Sequence, residues 1–346
     1  MERVLLSTVR DQYLILYADC FLVRGHTRTM ICDISRRKMF FIGNPFYDLL
    51  LQLKMNTIGD VCNMLEDETD YTAFEDFANY LLSHELGLLV DDTSVFPPID
   101  LVWDSPYAIT NALIDLRDKI PDFKKIFWEL EQLDCPYIQI RAYEAVGPDV
   151  LRTILPGTAG TGFRNIQFLL KYTDRYALEQ YMDIVREYPV LSLIFHSVPP
   201  EDCAALQGRY SRSEIQFLTQ VIDSCQSCGV INKHSFLLVD LQGFIENIRF
   251  NGCLNRKISI DEHGNIRNCP SMQVSYGNIE DTYLKDVVDR EDFRSMWSIN
   301  KDAIEVCKDC EFRYICTDCR AYTRDPGNLL SKPAKCSYDP YVGKWK

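Results

Sequence analysis

Seven cysteines, Cys253, Cys269, Cys307, Cys310, Cys316, Cys319 and Cys336, fall close together near the C-terminus and carry the clearest chemical signal in the chain. They read Cys253-x10-Gly264-x4-Cys269, a gap, Cys307-x2-Cys310-x5-Cys316-x2-Cys319, a second gap, and Cys336. Thiolates at such spacing suit a tetrahedral zinc ion or an iron–sulfur cluster. Zinc would close one site with Cys307, Cys310, Cys316 and Cys319 and leave Cys253, Cys269 and Cys336 idle, whereas iron–sulfur chemistry can employ all seven. The other half of the fourteen cysteines reads differently. Cys20, Cys32, Cys62, Cys135 and Cys203 are scattered through periodic segments as small core hydrophobes, and Cys225 and Cys228 form a CxxC at the end of a predicted helix.

Other chemistry is sparse. There is no Walker loop, no Gly-x-Ser-x-Gly elbow and no His-Glu-x-x-His. Gly157-Thr158-Ala159-Gly160-Thr161-Gly162 precedes a predicted strand, the wrong order for holding phosphate at a helix start, and reads as a connector. His196 ends an apolar strand, where β/α active sites lie, yet one histidine there reads first as a satisfied core residue.

With Gly264 and all seven cysteines in place, the C-terminal segment resembles the SPASM domain, the auxiliary-cluster module of peptide-modifying radical SAM enzymes. It departs in one respect: that pattern separates its sixth cysteine from the fifth by three residues, and Cys316 and Cys319 are separated by two. The resemblance implies that Cys307, Cys310, Cys316 and Cys336 hold one [4Fe–4S] cluster. It implies a second held by Cys253, Cys269 and Cys319, whose fourth position falls to another cysteine, to solvent or to a bound peptide, with Cys225 and Cys228 the nearest spare thiols in sequence. The text KISIDEHGNIRNCPSM and CKDCEFRYICTDCRAYTRDPGNLLSKPAKCSYDPYVGKW resembles, more narrowly, the SPASM proteins of grasp-with-spasm systems. Those make ribosomally synthesised, post-translationally modified peptides (RiPPs) of the graspetide type, so the resemblance implies a precursor (leader) peptide and an ATP-grasp ligase as partners.

The radical SAM signature itself is missing. No Cys-x3-Cys-x2-Cys occurs, and Ala108–Leu116, where it is expected, holds no cysteine. The next strand ends Arg141-Ala142-Tyr143-Glu144-Ala145 in place of the family's Gly-Gly-Glu-Pro turn. No S-adenosylmethionine is therefore expected, and whether the chain catalyses any step stays open.

These residues must be positioned by three blocks. In residues 1–95, YLILYADCFLVRG and RKMFFIG predict a pair of strands; FYDLLLQLK, IGDVCNMLE and YTAFEDFANYLLSHELGLLV predict three helices, with Thr57 and Asp70 as caps. That pattern is a winged-helix module, and under the resemblance a PqqD-like one that recognises a precursor peptide. Residues 96–235 alternate strand-like YAITNALI, CPYIQIRAY, FRNIQFLLKY and VLSLIFHS with helix-like DFKKIFWELEQL, RYALEQYMDIVREY and SEIQFLTQVIDSC. This is the signature of a parallel β/α sheet or partial barrel, and the resemblance implies a degenerate radical-SAM-like partial β/α barrel. The resemblance implies that residues 236–346 are the SPASM auxiliary-cluster domain, and in them Asp261-Glu262-His263-Gly264 predicts a hairpin turn. The fold class is thus α/β.

At 346 residues, 47% hydrophobic and 25% charged, the chain has the composition of a globular protein and no apolar run of membrane-spanning length. No signal-peptide pattern is seen, which points to the cytoplasm and to thiols kept free for metal rather than disulfides. The net charge of −13 opposes nucleic-acid binding. From Met55 to Val95 there is no Lys or Arg while ten acids accumulate, either a solvated helical face or a docking surface for a basic peptide. Three functions fit: a peptide-maturation protein beside a ligase, a redox enzyme or electron-transfer protein acting on a peptide through a cluster, and a zinc-stabilised interaction protein.

Overall fold

The computed structural model describes residues 3–210, 214–236 and 240–346. It is a mixed α/β protein organised around a parallel sheet. The N-terminal part opens with β1 (Tyr13–Leu16), β2 (Cys20–Arg24), β3 (Thr29–Asp33) and β4 (Lys38–Ile42), followed by α1 (Asn44–Leu53), α2 (Ile58–Asn63), α3 (Glu68–Ser83) and β5 (Gly87–Val90). Strands β2, β3 and β4 form an antiparallel sheet with β3 in the middle, and β1 pairs with β5. The predicted strand pair is thus four strands before the first helix. YLILYADCFLVRG breaks at Tyr17–Asp19, and Thr-Met-Ile-Cys-Asp is buried along its whole length, so it shows no alternation to betray a strand.

Thr57 caps α2 as predicted: its hydroxyl accepts from the Asp60 amide while the Asp60 carboxylate accepts from the Thr57 amide, each at 3.1 Å. Asp70 is not the cap of α3. Asp67 is, its side chain accepting from Thr69 and Asp70 amides at 2.8 and 2.9 Å, and Asp70 lies inside the first turn. Leu14, Ile31, Ile58, Phe74, Phe77 and Leu81 pack the core between these strands and helices.

The middle part runs β6 (Asn111–Leu116), α4 (Phe123–Glu131), β7 (Tyr137–Ala142), α5 (Pro148–Ile154), β8 (Asn165–Lys171), α6 (Leu178–Glu187), β9 (Leu191–His196), α7 (Pro200–Tyr210) and β10 (Ile215–Phe217). After α8 (Leu241–Arg249) come β11 (Lys257–Ile260) and β12 (Ile266–Arg267). Among the described residues these strands make one seven-stranded sheet, ordered β10-β9-β8-β7-β6-β11-β12, with only the β11–β12 pairing antiparallel. Strands β6 to β10 lie side by side in chain order, so right-handed crossovers carry their helices to the same face. Ile126, Phe127 and Leu130 of α4 pack there with Ile138, Ile140, Phe168 and Leu193 of the strands.

The helix expected over SEIQFLTQVIDSC does not form among its described residues; Ser213 lies outside them. Ile215 and Phe217 are buried and Gln216 between them is exposed, the period-two pattern of a strand, and β10 pairs in parallel with β9. The chain then runs irregularly to a short 3-10 turn at Cys225–Ser227. The C-terminal part continues through α9 (Leu284–Val288) and α10 (Glu291–Arg294) to a final antiparallel pair, β13 (Tyr338–Asp339) and β14 (Lys344–Trp345). No helix among the described residues is long and apolar enough to cross a membrane.

Candidate metal centre

The hairpin β11–β12 places the first two cysteines. Gly264 at its turn has φ +83, and a Cβ there would lie 3.0 Å from the Asn278 side-chain oxygen, so both backbone and space require glycine. Asp261 fastens the turn, accepting from the His263 and Asn265 amides and from Arg267 Nε at 2.7 Å. Cys253 precedes β11 and Cys269 follows β12, so pairing of the two short strands draws them toward one another.

Cys307, Cys310, Cys316 and Cys336 line a single cavity walled by Ile231, Phe236, Phe312 and Trp345. Cys307 enters it from Val306, whose φ of +66 is rarely adopted by a β-branched residue. Burial pushes the Cys316 thiol up to about 11 and raises Cys307 and Cys310 as well. Two buried ammonium groups adjoin the thiols. Lys301 Nζ donates to Asp318 Oδ1 at 3.0 Å, and Lys332 donates to the Tyr338 carbonyl. Burial opposes the charge on Lys301, yet Cys316, Asp318 and Cys307 raise its pKa above the ordinary lysine value.

Cys253 and Cys269 gather at Lys257, whose Nζ lies 3.7 Å from Cys253 Sγ, and Cys319 joins this second group through Cys253. Burial, reinforced by Cys253, pushes the Cys269 thiol up to about 12. Asp318 stands between the two groups. It accepts from Lys301, from Arg320 Nη2 at 2.8 Å and from Asn251 Nδ2 at 2.7 Å, while Asn251 Oδ1 accepts from the Cys253 amide at 3.1 Å. Sequence reasoning passed over Lys257, Lys301, Asp318 and Arg320. The signal was there in the charged side chains set among cysteines, two of which, Asp318 and Arg320, flank Cys319.

The donor set distinguishes the two metals. A zinc ion with bonds near 2.3 Å holds its thiolates only about 3.8 Å apart. Among the described residues no three His, Cys, Asp or Glu side chains converge in a way that could hold a metal ion. A cubane cluster spreads its ligands more widely and, with four thiolates on its 2+ form, carries a charge of about −2. Lysines beside each thiol group, buried at Lys301 and Lys332 and half-buried at Lys257, suit such an anion. The residues present fit [4Fe–4S] better than zinc.

Residues 253–311 match the model of the SPASM iron–sulfur cluster-binding domain. The chain therefore carries an iron–sulfur domain there, which includes Cys253, Cys269, Cys307 and Cys310; Cys316, Cys319 and Cys336 lie beyond the matched span. Among solved structures, the crystal structure of Streptococcus suis SuiB bound to precursor peptide SuiA aligns over 89% of this chain and 96% of that one, at 10% identity and a TM-score of 0.27. That likeness is too loose to carry any residue from one chain to the other. No curated protein matches the chain.

The remaining sequence candidates have structural roles. His196 is fully buried, with Nε2 3.0 Å from the Ala142 carbonyl and Nδ1 2.9 Å from Ser197 Oγ. The glycine-rich segment leads from a 3-10 turn at Leu155–Thr158 into β8, with no helix start for an anion. Cys20, Cys32 and Cys135 are buried in the core; Cys62 and Cys203 are partly so.

Proposed function

We propose that the protein is a graspetide-type RiPP maturation protein that binds a precursor peptide, carries two [4Fe–4S] clusters and works beside an ATP-grasp ligase without radical SAM chemistry of its own. In this reading residues 1–95 are a winged-helix recognition domain, residues 96–235 a degenerate radical-SAM-like partial barrel, and residues 236–346 the cluster domain. Cys307, Cys310, Cys316 and Cys336 hold the first cluster; Cys253, Cys269 and Cys319 hold the second. The observation that carries the reading is the convergence of four thiols on one cavity beside a buried lysine, within a chain that bears an iron–sulfur domain.

Peptide recognition is supported by the N-terminal sheet. With β3 central, β2 and β4 are its edges, and an edge strand offers unpaired backbone groups to an extended peptide. The exposed acids Glu66, Glu68 and Asp70, at the start of α3 in the same N-terminal part, would attract a basic segment by long-range steering. Two measurements test the proposal. Anaerobic purification should yield about eight irons with matching sulfide per chain, and stoichiometric zinc without iron would sink it. The full chain should bind its leader peptide more weakly as salt rises, and the Glu66→Gln, Glu68→Gln, Asp70→Asn triple variant should lose most of that salt dependence; unchanged affinity and slope would move recognition elsewhere.

A further inference from the structure

The second thiol group is one ligand short of a closed cluster, and the chain passes a candidate directly over it. After β10 the segment from Asp223 to Ile231 crosses from the sheet to the cysteine-rich part. Arg117 Nη2 holds the Asp223 carbonyl at 2.7 Å, Ser271 Oγ holds the Cys225 carbonyl at 3.0 Å, and Lys335 Nζ holds the Cys228 carbonyl at 2.7 Å. Ser271 lies two residues from Cys269 and Lys335 is adjacent to Cys336, so these two tethers fix the segment to stretches bearing a thiol of one group and of the other.

Gly229 decides how close the segment comes. Its φ is +85, and a Cβ built on it would lie 2.9 Å from Cys319 Sγ and 3.3 Å from the Tyr322 ring. Only glycine at 229 lets the backbone press on that thiol, and Cys228 is the residue before it. The Cys228 thiol acts through space on Cys269, Cys319 and Lys257, and Lys257 Nζ in turn lies 3.7 Å from Cys253 Sγ and acts through space on Cys269. Four sulfurs thus surround one site, with the Lys257 ammonium among them. The Cys225 thiol acts through space on Tyr143 and Tyr322.

We infer that Cys228 is the fourth ligand of the second [4Fe–4S] cluster, closing it with Cys253, Cys269 and Cys319 from the solvent side, and that Cys225 is not a ligand. This rests on the two-cluster reading above. Cys228 is exposed, as befits the ligand that completes a site from outside. Three residues on, Ile231 lines the first cavity and bridges to Cys336. One short segment therefore joins both clusters, and the second cluster has no iron left open to a cofactor.

The test uses the full chain reconstituted anaerobically, as wild type, Cys228→Ser, Cys225→Ser and Cys253→Ala. Mild ferricyanide oxidation is followed by electron paramagnetic resonance, and Mössbauer spectra are taken of the untreated clusters. A cluster with three cysteine ligands sheds its unique iron and shows a [3Fe–4S] signal; one with four resists. Wild type and Cys225→Ser should show no such signal, and Cys228→Ser about one per chain. Added cyanide should perturb Cys228→Ser and leave wild type and Cys225→Ser unchanged. Retention of the first cluster in Cys228→Ser reports an intact fold, and if that cluster is lost the wild-type Mössbauer spectrum still decides. An iron with a non-sulfur ligand in the wild type, a silent Cys228→Ser, or a signal in Cys225→Ser would overturn the assignment. Failure of the two-cluster reading looks different: wild type would hold about four irons, and Cys253→Ala would leave that number unchanged.

Discussion

Asp318 is buried to 4% exposure, and its neighbours Lys301 and Arg320 are each at 3%. An interior carboxylate is tolerable only when paired and hydrogen-bonded, and this one is held by two cations and the Asn251 amide. Removing the carboxylate charge would leave both cations uncompensated. Asp318→Asn should therefore destabilise the protein by roughly 3–5 kcal/mol and speed iron loss to a chelator; unchanged iron retention would reduce Asp318 to a bystander. His196 supplies a pH test. Burial lowers its pKa below the ordinary 6.5, so the folded state favours the neutral ring. Its contribution to stability is complete above pH 6.5 and declines as pH falls below that value, because the unfolded chain takes up the proton first. Denaturant midpoints should drop between pH 7 and 5, and His196→Gln should flatten the drop. The cysteine positions were legible in the sequence because thiol spacing is itself the chemical constraint. The ionic partners were not, since a buried Lys or Asp looks like any surface charge until the chain folds.

At the scale of elements, the turn between β2 and β3 is seated on the loop that carries Cys307 and Cys310. Arg28 Nε donates to Glu311 Oε1 at 2.7 Å, the His26 amide donates to the Asp309 carbonyl at 2.8 Å, and Arg313 Nη1 donates to the Arg24 carbonyl at 2.6 Å. Glu311 has no exposure, and its other partner is the Tyr338 hydroxyl. Gly25 permits this approach, since a Cβ there would lie 2.8 Å from the Glu311 amide nitrogen. Arg28→Ala should destabilise at the low end of the ~3–5 kcal/mol seen on breaking buried pairs, because Arg28 keeps partial contact with water. Stripping iron should raise amide exchange in β2 and β3 ahead of that in β7 and β8; equal exchange in both sheets would show that the turn does not sense the cluster. The three N-terminal helices and the hairpin turned at Asp261–Gly264 were readable in the sequence. What the sequence hid was contact of this kind, and the buried β3 that makes it possible: Thr29 to Asp33 face neighbours on both sides, which erases the alternation that marks a half-buried strand.

At the scale of the whole molecule, the sheet joins parts that look separate in sequence. β11 pairs in parallel with β6, so the hairpin between Cys253 and Cys269 is also the continuation of the sheet. The carboxyl ends of parallel strands are where such folds bind ligands. Here those ends are filled from within. Arg141 Nε and Nη2 donate to the two oxygens of Asp115 at 2.7 and 2.9 Å, and the Tyr143 hydroxyl donates to the same carboxylate at 2.6 Å. All three side chains are buried. Beside them a cavity opens between the ends of β6 and β11, and its charged walls are already engaged: Arg117 with Glu262 at 2.6 Å, Lys119 with Glu280. Seating the methionine part of S-adenosylmethionine there would mean breaking the Asp115–Arg141 pair, against roughly 3–5 kcal/mol. No triplet of cysteines stands in Ala108–Leu116 to offer an open iron, and the cluster nearest these strand ends is closed by Cys228 on the assignment made above. We therefore expect no S-adenosylmethionine binding and no 5′-deoxyadenosine from the fully reconstituted protein with dithionite. Cys228→Ser opens an iron without clearing the strand ends, so it should stay inactive as well. Catalytic deoxyadenosine from the wild type that vanishes in a Cys253→Ala, Cys269→Ala double variant would overturn this expectation and assign the radical site to the second cluster.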